Sequence, residues 1–219
     1  MLLALETATN VCSVAYCDEN GNIYEQRTSQ RGTHSEQLFL YIEHLQNKHD
    51  FEIKELDAVL VSEGPGSYTG LRISASAVKG LLFQTEVSLI GINTLASFAM
   101  RAYQQDPETK HIHSIIDARR VHVYHQKFEM DDQQLTTEDE VEVIPIEAFE
   151  KMLRSGDGVI GTGLKRIGQQ ALDKGKTFGP ETISAKSLIA LYQAGYADFY
   201  RLEDPEIFEP KYYSSNQVG

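Results

Sequence analysis

The alternation of apolar and polar residues along the first hundred positions predicts a fixed order of strands and helices. An Asn20-Gly21 pair is a strong hairpin signal, so the run after it returns as a third antiparallel strand. Short apolar or alternating runs are typical of strands. They predict strands at residues 2–7, 11–16, 22–28, 56–62 and 87–92.

Three helices are predicted between and after these strands. Leu38, Tyr41, Ile42 and Leu45 recur at helical spacing, and Thr33 with Glu36 fits a capping box before them. A run of small and apolar residues predicts a second helix, and Thr94 is a suitable N-cap for the third. The helices are expected at residues 35–48, 70–84 and 94–103. The first half therefore has the order βββαβαβα.

The second half repeats a shortened form of that order. Strands are predicted at residues 112–117, 121–128, 141–144 and 158–161, and helices at 146–154, 164–174 and 184–197. The acidic residues 130–139 are interpreted as an exposed excursion. An order of βββαβα given twice is that of the α/β actin-like ATPase (ribonuclease-H-like) fold, whereas strict β-α alternation would indicate a doubly wound sheet.

A polar stretch with a proline at residues 104–109 is the best candidate for a boundary between two lobes. The predicted domains are an N-terminal lobe, residues 1–104, and a smaller C-terminal lobe, residues 105–219. The last helices are expected to pack back on the first lobe. The tail from residue 208 onward could fold back or stay disordered.

A loop with three glycines and a proline joins the strand at 56–62 to the helix at 70–84. Strand, glycine loop and helix is an arrangement in which backbone N–H groups can face an anion. The loop lacks the Gly-Lys-Ser/Thr ending of a P-loop, and its glycine spacing differs from the dinucleotide fingerprint. Positive φ angles and close packing explain such glycines equally well. The candidate phosphate contacts are Thr7, Thr9, Gly64, Gly66, Ser67 and Gly70.

Composition limits the classes of function. The chain has 219 residues, 41% of them hydrophobic, and no apolar run approaches the length of a membrane span, so we expect a cytoplasmic protein. The formal net charge of −12 argues against the chain binding nucleic acid by itself. Cys12 and Cys17 form neither a C-x-x-C motif nor an expected disulfide and are interpreted as core thiols.

Glu6 and Asp117 are the candidate catalytic carboxylates. Each ends the first strand of its half, where a phosphoryl-transfer enzyme of this fold would hold Mg²⁺, although Arg72 is the only cation near the glycine loop. The seven histidines show no metal-ligand spacing, and His111 and His113 are interpreted as residues of a strand edge. Neither a G-x-S-x-G elbow nor a reactive cysteine is present.

Several motifs together resemble the TsaB (YeaZ) family. The segments Leu5–Thr9 and Cys12–Ala15, the run Gly64–Ile73 (GPGSYTGLRI), Gly91–Leu95 and Ile116–Tyr124 (IDARRVHVY) are similar to those of that family. The resemblance is firm over residues 1–125 and weak beyond. Glu6-Thr7-Ala8 departs from the Asp-Thr-Ser with which the family usually opens, which weakens the case for a metal-bound nucleotide.

The resemblance implies an actin-like fold and a role in making threonylcarbamoyladenosine at position 37 of tRNAs that read ANN codons. It implies an inactive paralogue that supports the catalytic TsaD subunit, joined by the TsaE ATPase, and that forms a homodimer in isolation. The tRNA would be reached through the complex. No catalytic residue, metal or cofactor is expected. The alternative is an autonomous ATPase or small-molecule kinase using Glu6, Asp117 and the glycine loop.

The helix at 70–84 is small or apolar around much of its circumference. One face packs on its own sheet, and the other suggests a second partner, either another copy or a paralogue. The resemblance also places the dimer contact in the first lobe. The predicted partner-interface residues are Glu36, Phe39, Leu40, Leu71, Ser74, Ala75, Val78, Lys79 and Leu82.

Overall fold

The structure is a computed structural model that describes residues 1–30, 32–131, 134–137 and 139–213. In chain order its strands are β1 (Leu2–Glu6), β2 (Cys12–Cys17), β3 (Ile23–Thr28), β4 (Ala58–Gly64), β5 (Ser88–Asn93), β6 (His111–Asp117), β7 (His122–Asp131), β8 (Gln134–Thr136), β9 (Glu142–Pro145), β10 (Gly158–Ile160), β11 (Lys176–Phe178) and β12 (Tyr200–Glu203). Its α-helices are α1 (His34–His49), α2 (Tyr68–Leu81), α3 (Thr94–Gln105), α4 (Ile146–Met152), α5 (Gln169–Leu172) and α6 (Lys186–Gln193).

The chain divides into two compact units. The first comprises Met1–Thr94 and Ser184–Lys211, and the second comprises Leu95–Ile183 with Tyr212 and Tyr213. The division falls at the start of α3, whereas the predicted boundary falls at its end. The chain after residue 183 returns to the first unit. The two predicted lobes, 1–104 and 105–219, therefore remain a proposal about domains.

The first unit contains a sheet of strand order β12-β5-β4-β1-β2-β3. β1, β2 and β3 form an antiparallel meander, and β4 and β5 add parallel to β1. Leu3, Leu5 and Val14 belong to the core beneath α1 and α2. Alternate strand residues face the opposite side. There Ser13 accepts a hydrogen bond from the Ala185 N–H just before α6. Helices thus cover both faces.

The sheet of the second unit repeats that topology. Its order is β11-β10-β6-β7-β8, and β9 also pairs with β7. β6 and β7 are antiparallel, while β10 pairs parallel with β6 and β11 parallel with β10. The two sheets therefore correspond strand by strand: β6 occupies the place of β1, β7 that of β2, β10 that of β4 and β11 that of β5. Two such mixed sheets are the actin-like ATPase fold, as the element order predicts.

Regular structure in the second half differs from the prediction in several places. The predicted helix at 164–174 is a 3-10 helix, Thr162–Arg166, followed by the four-residue α5, and the helix predicted at 184–197 is only the eight-residue α6. β8, β11 and β12 are strands that the pattern did not predict. Residues 130–139 do not form only an exposed excursion, because β7 extends to Asp131 and β8 pairs with it. Residues 132, 133 and 138 lie outside the described part.

The segment that ends at Lys211 is anchored to the first unit. Phe208 is buried in the core beneath α1 and α2. The Lys211 N–H donates to the Glu63 carbonyl over 2.7 Å, and the Lys211 ammonium lies 2.5 Å from the Glu63 carboxylate. The tail therefore folds back as far as this residue, and residues 214–219 lie outside the described part.

Two predictions about composition can be compared directly with the structure. Cys12 and Cys17 are free and buried, as expected of core thiols, and burial raises the pKa of the Cys12 thiol to about 12. None of the helices in the described ranges is long and apolar enough to span a bilayer.

Candidate functional site

The glycine loop packs directly against the turn that follows β1. A Cβ on Gly66 would lie 2.4 Å from the Ala8 carbonyl oxygen, and a Cβ on Gly70 would lie 2.1 Å from the Thr7 carbonyl oxygen. The Ser67 N–H donates to the same Ala8 carbonyl over 2.7 Å. Only glycine permits so close an approach of two backbones. The loop therefore packs the start of α2 against the end of β1.

The other candidate phosphate contacts already have partners within the first unit. The Gly70 N–H donates to Ser67 Oγ over 3.3 Å, and the Gly64 N–H donates to Thr94 Oγ1 over 3.1 Å. Thr7 Oγ1 donates to the Gly70 carbonyl, and Thr9 Oγ1 accepts from the Val11 N–H. Carbonyl oxygens, which repel anions, face the loop glycines. These contacts account for the packing of the loop within the first unit, and contact of the six residues with phosphate stays a prediction.

Glu6 lies at the end of β1 and is completely buried. Its carboxyl accepts hydrogen bonds from Ser62 Oγ and from the Ala8 N–H, the latter over 2.7 Å. Burial raises the pKa of this carboxyl to about 7, against the opposing effect of those two donors. A carboxyl that is enclosed, already accepts two hydrogen bonds and has a raised pKa is poorly suited to binding Mg²⁺ from solvent.

Asp117 ends β6 in the second unit, and its carboxylate stabilises a hairpin turn. Its Oδ1 accepts from the Arg119 N–H over 2.8 Å and from Arg166 Nη1 over 2.9 Å. In the described ranges no group of three histidine, cysteine or acidic side chains is placed to hold a metal ion. Asp117 and Glu6 belong to different units, and each is engaged locally.

The structure divides the predicted partner-interface residues into two groups. Five of them point into the first unit and are buried there: Leu71, Ser74, Ala75, Val78 and Leu82. Glu36, Phe39 and Leu40 on α1 are exposed, and Lys79 on α2 is half-buried. The prediction therefore took much of the sheet-facing side of α2 for its outer side.

The outer side of α2 is a stripe at helical spacing that the sequence reasoning missed. Tyr68, Arg72, Ser76, Gly80 and Phe83 are exposed at intervals of three or four residues. Arg72 donates to the Tyr68 hydroxyl over 2.5 Å and lies over its ring. The signal was available, because the opposite side of the same helix carries the larger apolar residues.

Four large apolar side chains lie exposed on the layer formed by α1 and α2. Phe39 is 50% exposed, Leu40 48%, Tyr68 57% and Phe83, just beyond α2, 68%. The two helices contact each other and cover one face of the sheet, so these side chains belong to one outer surface. We call this surface, with Glu36, Arg72, Ser76 and Gly80, the α1–α2 face. Four of the nine large hydrophobic side chains that are exposed in the described ranges lie on this layer, and such a grouping is typical of a protein-binding surface.

Two buried histidines form a second feature that the sequence reasoning missed. His113 on β6 and His125 on β7 are hydrogen-bonded to each other, and His113 also contacts Asp157. The interpretation of His113 as a strand-edge residue was wrong, since β6 lies between β10 and β7 and the side chain is buried. His111, on the same strand, is exposed.

Comparison with known proteins places the chain in a family. The family model described as TsaD, tRNA N6-adenosine threonylcarbamoyltransferase, matches residues 23–179. The tRNA threonylcarbamoyladenosine biosynthesis protein TsaB of Escherichia coli K12 is 29% identical over 166 residues, which are 74% of this chain and 71% of that protein. The chain belongs to the TsaB (YeaZ) family.

Two further relatives agree with this membership. The TsaB protein of Haemophilus influenzae is 32% identical over 123 residues, 56% of this chain and 51% of that protein. The solved structure of YeaZ from Pseudomonas aeruginosa superposes with a TM-score of 0.80 at 25% identity, covering 97% of this chain and 99% of the other. The likeness therefore extends over both units of this TsaB-family chain, beyond the residues whose motifs indicate it.

Proposed function

We propose that this TsaB-family chain is a non-catalytic subunit of the complex that installs threonylcarbamoyl on adenosine 37 of ANN-decoding tRNAs. It would bind and support a TsaD-like catalytic paralogue, with a TsaE-like ATPase joining the complex and a homodimer forming in isolation. The tRNA would meet the chain within that complex, in the cytoplasm. The family model matched by residues 23–179 supports the paralogue relationship.

The observation that carries the proposal is the exposed α1–α2 face. Burying Phe39, Tyr68 and Phe83 against a partner would remove from water apolar area that the isolated unit leaves exposed. Gly80 and Ser76 between them would let a partner helix approach closely, because neither carries a bulky side chain. The same surface suits a second copy of the chain or a paralogue of the same fold.

The geometry of the predicted catalytic positions gives the alternative, an autonomous ATPase or kinase, little support. Glu6 is enclosed by its own unit, and Asp117 is held by Arg166 and the Arg119 N–H. In the glycine loop, the N–H groups of Gly64, Ser67 and Gly70 donate to protein acceptors. A partner subunit needs none of these groups to be available.

The test is complex formation with the TsaD-type protein of the same organism, measured by co-purification and light scattering. Ser76→Arg places a long cation in the middle of the α1–α2 face without entering the core. Asn20→Arg, in the exposed turn between β2 and β3, is the matched control. We expect the wild type and the control to exchange homodimer for heterodimer, and Ser76→Arg to form neither.

If the wild type forms no heterodimer at micromolar concentrations, the partner role is wrong, and nucleotide hydrolysis by the isolated chain becomes the next measurement. If Ser76→Arg binds as well as the wild type, the partner uses a different surface.

A further inference from the structure

The tip of the β6–β7 hairpin has a backbone that its residues rarely adopt. Arg119 and Arg120 follow each other with φ angles of 69° and 51°. This left-handed region is ordinarily occupied by glycine or asparagine, because a longer side chain crowds its own backbone there. Two consecutive arginines in that conformation indicate a role for their side chains, since strained residues persist mainly at functional sites.

The tip is held in place from the second unit itself. The Asp117 carboxylate accepts from the Arg119 N–H and from Arg166, and Arg166 Nη2 also donates to the Arg120 carbonyl. The His122 N–H donates to the Arg119 carbonyl over 3.1 Å. Arg166 is thus a positioning residue that fixes the backbone of the tip and leaves the Arg119 and Arg120 side chains to point outward.

These outward cations are exposed and unneutralised. Arg119 and Arg120 are exposed, as is Lys165 beside Arg166, and none of the three takes part in an ion pair within the described ranges. The whole chain carries a formal net charge of −12. Because salt screens exposed charges beyond about 8 Å at physiological ionic strength, the tip presents a local positive surface despite that total.

We propose that this basic tip, defined by Arg119, Arg120 and Lys165, contacts the phosphate backbone of tRNA within the modification complex; the inference rests on the proposed function. A guanidinium presents two parallel donors that match two phosphate oxygens. Contacts with a polyanion release condensed counterions, so exposed arginines bind RNA effectively. Exposed pairs with the isolated carboxylates of an acidic protein contribute little by comparison. These considerations favour RNA over an acidic protein surface.

The test measures binding of a fluorescently labelled tRNA with an ANN-reading anticodon to the complex of this chain with its TsaD-type partner, over a series of KCl concentrations. The variant is Arg119→Asn with Arg120→Asn, which removes both charges and places residues that tolerate the left-handed backbone. The control is Lys110→Asn. Lys110 is an exposed cation directly before the first residue of β6, at the end of the strand away from the tip.

We expect the double variant to assemble normally and to weaken tRNA binding roughly ten-fold near physiological salt, with a salt slope smaller by about 1–2, since each lost phosphate contact removes about 0.7–0.9 from it. Lys110→Asn should leave both quantities unchanged. Equal affinity and slope for the double variant and the wild type would overturn the proposal.

Two other outcomes separate this inference from the function on which it rests. The double variant could instead bind its TsaD-type partner more weakly, while the fraction that still forms the complex binds tRNA as the wild type does. In that case the tip contacts protein and the RNA proposal is wrong. If the wild-type chain forms no complex, the proposed function fails and the inference falls with it.

Discussion

The imidazole rings of His113 and His125 are hydrogen-bonded to each other, with His113 Nδ1 lying 2.9 Å from His125 Nε2. His113 Nε2 lies 3.2 Å from Asp157 Oδ2. Because a carboxylate only accepts, His113 Nε2 carries a proton and its Nδ1 accepts from the His125 Nε2–H. His125 Nδ1 is then an unprotonated nitrogen, buried without a partner in the described ranges. This order of donors keeps both rings neutral.

The neutral pair predicts that the two imidazoles resist protonation. Burial, and next the neighbouring His113, lower the pKa of His125 to about 3, and burial also lowers that of His113, against the opposing effect of Asp157. In an NMR titration of the imidazole signals we expect His125 to stay neutral at pH 5. Titration of His125 near its ordinary value would contradict this order of donors and acceptors.

The same shift predicts a loss of stability in acid. Below about pH 6.5 the unfolded chain binds a proton at His125, whereas the folded chain does not. The contribution of neutral His125 to the free energy of unfolding is therefore fully present above that pH and is lost as the pH falls toward 3. Between pH 7 and 5 it amounts to about 2 kcal/mol at about 1.4 kcal/mol per pKa unit. Urea unfolding should show this loss in the wild type relative to His125→Gln, which has no imidazole.

Glu6 predicts the opposite pH dependence of the free energy of unfolding. Its pKa is raised to about 7, so the folded chain retains a proton that the unfolded chain releases near 4.5. The contribution is therefore fully present below pH 4.5 and is lost as the pH rises through 7, leaving a buried anion that costs roughly 3 kcal/mol.

Glu6→Gln tests this directly. Its amide can still accept from the Ala8 N–H and can donate to Ser62 Oγ. Relative to the wild type, we expect the variant to gain unfolding free energy between pH 5 and 8, measured by urea denaturation. Glu19→Gln, in an exposed turn, should show no such gain. A parallel pH dependence for wild type and Glu6→Gln would mean that the carboxyl is ionised throughout.

Local patterns were sufficient for the first half of the chain and insufficient for parts of the second half. Residues 2–28 carry strong alternation and an Asn20-Gly21 turn, so β1, β2 and β3 were predicted close to their observed bounds. β11 and β12 were missed because each is at most four residues long and at least half of its side chains are exposed. Such strands depend on the sheet edge that receives them, which is information from tertiary structure.

The candidate site shows the same limit at the level of single residues. The small residues of α2 were identified correctly, but their assignment to the outer side was not. Ala75 and Ser74 are small because the helix packs closely on β4, whereas Ser76 and Gly80 are small on the exposed side. The pairing of His113 with His125 depends on the register between β6 and β7, which residue spacing along the chain does not contain.

Gly70→Ala is predicted to destabilise the first unit. A methyl group at this position would lie 2.1 Å from the Thr7 carbonyl oxygen, and the Thr7 Oγ1 hydrogen bond to the Gly70 carbonyl would be strained. Overpacking of this kind costs roughly 1–3 kcal/mol. The measurement is the urea unfolding midpoint. An unchanged midpoint would show that α2 can move away from the turn after β1 without cost.

Gly80→Ala on the same helix separates stability from binding. A Cβ at Gly80 would meet no atom within 4 Å, so the isolated chain should gain up to about 1 kcal/mol, because alanine is the better helix former. If a partner helix approaches the α1–α2 face at Gly80, the added methyl group should weaken homodimer and heterodimer alike. Higher stability with weaker association, measured by urea unfolding and light scattering, is therefore expected of one variant. Higher stability with unchanged association would place the partner contact elsewhere on the unit.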